Sequence, residues 1–128
     1  MNRTVLDASA ILAVLKRETG TQVVEAAIAE GAAISTVNLA EIVSKLADWG
    51  MDGAAIRNTL DNFELDIVDF DAELAYAAGL LRPATRDLGM SLGDRACVSL
   101  AQRLEAEALT ADRRWADLKV DVPIRLVR

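Results

Sequence analysis

The stretch "RTVLDASAILAVLKRETG", residues 3–20, sets the fold class. Residues 3–7 read as a short buried strand that closes on Asp7. Ile11, Leu12 and Leu15 then recur at helical spacing, and Gly20 stops the run. The same alternation continues outward along the chain. "TQVVEAAIAEG" (21–31) is a second helix, with Val23, Val24, Ala27 and Ile28 facing inward and Gly31 as its C-cap. "AAIS" (32–35) is a second strand, and "NLAEIVSKLADWG" (38–50) a helix ended by Gly50. A helix over 52–63 precedes a third strand at "LDIV" (65–68), and "DAELAYAAGLLR" (71–82) starts at the N-cap Asp71 and stops at Pro83. "GMSLGDRACVSLA" (89–101) opens a helix over 92–105 whose buried stripe is Cys97, Leu100, Ala101 and Leu104. A strand at "ALT" (108–110), a helical turn around "DRRWADL" and a last strand near "IRLVR" complete the chain. Short apolar strands separated by amphipathic helices indicate an α/β fold with a mostly parallel sheet.

With 128 residues, 52% of them hydrophobic and 27% charged, one domain over 1–128 is expected, with a core that needs no disulfide. The lone Cys97 cannot pair within the chain, which fits a reducing compartment. No apolar run approaches the ~20 residues of a membrane span. Met1–Arg3 leads into a strand and not into a signal peptide, so a cytoplasmic location is expected. There is no histidine, which removes Ser-His-Asp triads, Cys-His dyads and imidazole bases. One Cys and no His also leave no donor set for tetrahedral zinc. A net charge of −6 argues against broad, non-specific nucleic-acid binding, though not against a local basic rim.

In parallel α/β sheets the active crevice lies beyond the carboxyl ends of the strands. Asp7 closes the first strand and Asp112 follows the fourth. Glu41 comes early in the helix after the second strand, and Asp94 early in the helix that feeds the fourth. Each also has an ordinary structural reading. Asp7 could cap the helix that follows it, with Ser9 as a rival cap. Glu41 lies three residues after Asn38, which suits a capping box, and four before Lys45, which suits a surface ion pair. Asp94 lies three after Ser91, in the same capping-box register, and Asp112 could cap "RRWADL". Asp117 reads as a solvated helix residue. Only the joint placement of the four acids points to chemistry.

Gathering carboxylates has a physical consequence. Two of them ~4–5 Å apart repel by roughly 3–4 kcal/mol at an effective dielectric near 20. Such a site must protonate, spread apart or bind a cation. An all-oxygen cluster suits Mg²⁺ or Mn²⁺, which keep several waters and take few carboxylates. A cation there would explain why Asp94 stands beside a core-facing stripe.

"TVLDASAILAVL", "STVNLAEIVSKL" and "LGMSLGDRACVSLAQRLEAEALTADRRWADL" resemble PIN-domain proteins and, more closely, the VapC toxins of bacterial type II toxin–antitoxin systems. The likeness runs in order along nearly the whole chain, and its most specific part is "SLGDRACVSLA" with "LTADRRW". It implies a three-layer α/β/α domain acting as a Mg²⁺- or Mn²⁺-dependent endoribonuclease on RNA such as tRNA or ribosomal RNA. The family's four acids fall on Asp7, Glu41, Asp94 and Asp112, with Asp7 and Asp94 most directly on the metal. Glu41 and Asp112 complete the pocket, and Ser9 matches a small polar neighbour. The resemblance also implies a homodimer and a cognate VapB-like antitoxin that blocks the acidic pocket.

Arg82, Arg86, Arg95, Arg113 and Arg114 flank the pocket and are candidates for phosphate contacts. One Tyr, two Phe and two Trp are too few for a base-stacking platform, which favours recognition by shape. A rival reading is a non-catalytic module of the same fold that binds a basic partner peptide through its acids. A phosphoacceptor receiver domain would want a lysine at the end of a late strand, and Lys16, Lys45 and Lys119 do not supply one. A haloacid-type phosphatase would want D-x-D where this chain has "DAS".

Overall fold

Strands in which every side chain is buried, as in Thr4–Leu6 and Ala33–Ser35, need cover on both faces, and the chain supplies it. The computed structural model describes residues 3–128; the opening Met1 and Asn2, read above as leading into the first strand, lie outside the described residues. Five parallel strands form one sheet in the order β3-β2-β1-β4-β5: β1 Thr4–Leu6, β2 Ala33–Ser35, β3 Asp66–Val68, β4 Glu107–Thr110 and β5 Ile124–Leu126. Val5 stands opposite both Ala33 and Ala108, which fixes the register of the three central strands. Successive strand residues point to opposite faces. Leu6, Ile34 and Leu109 therefore join one core with α1 (Ala8–Leu15), α2 (Gln22–Glu30), α3 (Thr36–Asp48) and α4 (Gly53–Asp61). Val5, Ala33 and Ala108 join the other, with α5 (Ala72–Leu80), α7 (Leu92–Leu104) and Trp115. This is the three-layer α/β/α arrangement expected from the sequence.

The element boundaries show where local pattern gave way to geometry. The first helix ends at Leu15, well before Gly20, because Arg17 takes a left-handed φ of 56° and turns the chain. Gly31 does close α2, at φ 95°. Pro83 does not end the helix before it. That helix, α5, closes at Leu80, and Pro83 lies in the first turn of a separate short helix, α6 (Arg82–Thr85), where its missing N–H costs nothing. α7 differs most from expectation. The sequence pattern gives a single stripe, yet Ala96 to Ala101 are all buried, because the helix lies against the sheet, α5 and α3 at once. No helix among the described residues is long and apolar enough to cross a membrane.

Candidate active site

The strand order reverses direction between β1 and β4, so the crevice of this sheet opens above their carboxyl ends. Asp7 is the residue after β1. Its backbone N–H donates to the Leu109 carbonyl at 3.0 Å, which prolongs the β1–β4 pairing by one residue and pins Asp7 at the crevice. Although Asp7 occupies the N-cap position of α1, its side chain caps nothing. Instead, Oδ2 accepts from the Ser9 hydroxyl at 2.6 Å and from the Thr110 hydroxyl at 2.9 Å. The capping reading of Asp7 thus gives way to a buried carboxylate, 4% exposed, held by two hydroxyls. Oδ1 accepts no hydrogen bond among the described residues. Ser9 also accepts from the Ala111 N–H at 2.9 Å and Thr110 from the Asp112 N–H at 3.0 Å, so one small network joins the ends of both central strands.

Burial pushes the Asp7 carboxyl from its ordinary 3.8 up to about 6; the Ser9 and Thr110 hydroxyls oppose this, while the nearby charges of Asp94 and Glu41 add to it. Glu41 is raised as well, chiefly by burial, with its Asn38 hydrogen bond opposing and Asp94 adding. Three of the four sequence-selected acids therefore lie in one another's field. Beneath them, the buried Cys97 thiol is pushed up by its burial and then by the same three carboxylates. A thiol held protonated in this way packs as an apolar side chain.

Glu41 reaches this place through neither the cap nor the ion pair its spacing suggests. Ser35, the last residue of β2, is the true N-cap of α3, and its hydroxyl accepts from the Val37 N–H at 3.2 Å. Asn38 is no cap. It is fully buried inside the first turns, and its Nδ2 donates to Glu41 Oε1 at 2.9 Å and to the Gly93 carbonyl at 3.0 Å. No Glu41–Lys45 ion pair forms among the described residues. Asp94, by contrast, does make the capping box its spacing suggested: Ser91 Oγ accepts from the Asp94 N–H at 3.1 Å, and Asp94 Oδ2 accepts from the Ser91 N–H at 2.9 Å. The cap and the pocket are compatible, since one carboxylate oxygen serves the cap and the other is left over.

Asp112 carries a close counter-ion. It caps the 3₁₀ turn Arg113–Asp117, accepting from the Arg114 N–H at 3.0 Å, and its carboxylate takes Arg114 Nη2 at 2.6 Å. Those Arg114 hydrogen bonds hold its carboxyl below the usual range. The same guanidinium lies 3.9 Å from Asp94 Oδ2 and donates to the Leu88 carbonyl at 3.2 Å. Arg114 is thus a resident counter-charge on the pocket rim. Of the other flanking arginines, Arg95 turns back to the Ala78 carbonyl at 3.1 Å, and Arg113 is exposed.

Asp7, Glu41 and Asp94 offer only hard oxygen donors, and neither Asp7 nor Glu41 makes an ion pair among the described residues. That donor set fits a small divalent cation. Among the described residues no three such side chains already stand together as a cage. Thr110, Asn38 and Gly93 are the neighbours that sequence reasoning missed. Thr110 gave a faint signal, as a polar residue ending an apolar strand beside an aspartate.

The PIN domain family matches this chain over residues 4–121. No curated protein sequence gives a significant match. Among solved structures, VapBC2 from Rickettsia felis, bound to a DNA fragment from its promoter, is similar at 21% identity and a TM-score of 0.73, over 94% of this chain and 96% of that one. DNA-bound VapBC from Salmonella typhimurium is similar at 18% identity and a TM-score of 0.74, over 100% of both chains. FitAcB from Neisseria gonorrhoeae is similar at 18% identity and a TM-score of 0.69, over 97% of both. At such identities these structures speak for the fold, and the family match extends from β1 through the capped turn after β4. The chain belongs to the PIN domain family.

Proposed function

We propose that this protein is a VapC-type toxin: a Mg²⁺- or Mn²⁺-dependent endoribonuclease that cuts RNA and is neutralised by a VapB-like antitoxin. The observation that carries the reading is the convergence of Asp7, Glu41 and Asp94, from three separate elements, at the switch point of the sheet. Asp7 and Asp94 would hold the ion most directly, with Glu41 completing the set and Asp112 joining if it leaves Arg114. A divalent ion bound there supplies Lewis-acid stabilisation of phosphoryl charge and activation of water. The chain's own side chains bind and orient. Ser9 and Thr110 fix one oxygen of Asp7 and leave the other toward the crevice. With no histidine in the sequence, any proton taken from the attacking water goes to a carboxylate or to solvent.

The likeness to VapBC complexes supports an antitoxin partner, because this chain covers the same fold as the solved complexes from end to end. A homodimer is supported by the outer face of α5, where Tyr76 and Leu80 are 72% and 79% exposed beside the exposed Ala75 and Gly79, while only Leu74 and Ala78 of the helix are buried. The basic-peptide module remains the competing reading, and the same experiment separates them. Purified wild type should cleave RNA only with Mg²⁺ or Mn²⁺ present, and Asp7→Asn should lose at least about 100-fold of that rate. Cleavage that survives chelation, or an Asp7→Asn protein as active as wild type, would overturn the assignment.

A further inference from the structure

One buried amide beside the pocket leaves part of its hydrogen-bonding capacity unmet. Asn38 is 0% exposed on α3, one turn ahead of Glu41. Its two neighbours, Glu41 Oε1 and the Gly93 carbonyl, are both acceptors, so Nδ2 must face them and the amide orientation follows from chemistry alone. The other atom, Oδ1, is then buried with no partner among the described residues. An unpaired buried acceptor is costly, and an apolar side chain of the same shape would avoid the cost. What the apolar residue could not do is donate to Glu41 and to the Gly93 carbonyl at once.

Gly93 closes the arrangement from the opposite side. A Cβ built on it would fall 2.5 Å from Glu41 Cδ, inside any tolerable contact. Its φ is not in the left-handed region, so the glycine is needed here for space and not for backbone freedom. The Glu41 carboxylate lies directly on the backbone of the residue before Asp94. Without a donor, nothing would hold the Glu41 side chain against the start of α7, and a half-buried glutamate on a helix has the rotamers to leave.

We propose that Asn38 and Gly93 form a lock that seats the Glu41 carboxylate beside Asp94, with Asn38 as a positioning residue that acts through Glu41. The lock joins α3 to the first turn of α7 and sets the spacing between the acids those helices carry. This rests on the metal-binding reading above.

The test is Mn²⁺ titration of wild type, Asn38→Leu, Gly93→Ala and Glu41→Ala, with each lock variant repeated in the Glu41→Ala background. Each single variant should bind Mn²⁺ about 10- to 100-fold more weakly than wild type. Gly93→Ala should melt no lower than wild type, since the new methyl meets only the end of a flexible side chain and alanine favours helix. In the Glu41→Ala background either lock variant should add less than about 2-fold, because its target is already gone. Wild-type affinity in Gly93→Ala and Asn38→Leu, or losses that multiply with Glu41→Ala, would overturn the lock. If Asn38→Leu fails to fold, Gly93→Ala decides alone. If wild type binds no Mn²⁺, the metal reading fails separately, and crystal structures of the variants still judge the lock. Glu41 leaving the start of α7 supports it, and Glu41 staying in place contradicts it.

Discussion

Asp7 combines near-complete burial with two hydroxyl donors, and these pull its protonation in opposite directions. Burial wins, and its carboxyl rises to about 6 against an ordinary 3.8. Between those two values the folded chain binds more protons at this group than the unfolded chain does. Stability attached to Asp7 is therefore full below about pH 4 and is lost as pH rises through about 6. Above pH 7 the loss levels off at about 3 kcal/mol. Asp7→Asn keeps an acceptor for Ser9 and Thr110 and removes the titration. In metal-free protein it should raise stability at pH 7.5 by up to about 3 kcal/mol, with little effect at pH 4. Urea unfolding at both pH values checks this, and a variant no more stable than wild type at pH 7.5 would contradict it. The strand-end position of Asp7 was legible in the sequence, because a charge closing an apolar run is visible locally. Its hydroxyl partner Thr110 was not, since the two meet only after β1 and β4 pair, 103 residues apart.

At the scale of elements, α7 carries most of the tension between structure and chemistry. Its N-terminus is held by the reciprocal Ser91–Asp94 bonds, so one residue both caps the helix and faces the pocket. Ser91→Ala should destabilise the protein by about 1 kcal/mol and speed amide exchange over the first turn of α7, while leaving the Ala96–Ala101 segment protected. Urea unfolding with hydrogen exchange measures both effects, and uniform exchange along the helix would refute the local role. The elements themselves were readable because strand and helix periods are local properties. Glu41 is harder to read for the complementary reason: its spacing from Asn38 and Lys45 suits a cap or a surface ion pair, and only the Asn38–Gly93 contact, 55 residues apart in sequence, shows what it faces. Arg17 and Pro83 likewise moved boundaries by a backbone turn and by a new helix start, neither of which hydrophobic pattern records.

For the whole molecule, the sheet order decides everything downstream. Placing β1 at the centre with β2 on one side and β4 on the other brings the acids after three different strands to one edge. Alternating strands and helices announced a parallel sheet, but not which strands would be neighbours, and that order is what puts Asp7, Glu41 and Asp94 in one another's field, with Asp112 paired to Arg114. The outer face of α5 belongs to this scale too. Wild type should run as a dimer in light scattering, and Leu80→Glu, which puts a charge on an exposed apolar face, should shift it toward monomer without lowering its melting temperature. A wild-type monomer would remove α5 as a contact surface. The central claim is that Asp7, Glu41 and Asp94 together hold a divalent cation. Its most direct measurement is an anomalous difference map from crystals grown with Mn²⁺. Manganese should give a peak bounded by those three carboxylates above the ends of β1 and β4; a map with manganese elsewhere, or none at all, would exclude a cation held by them.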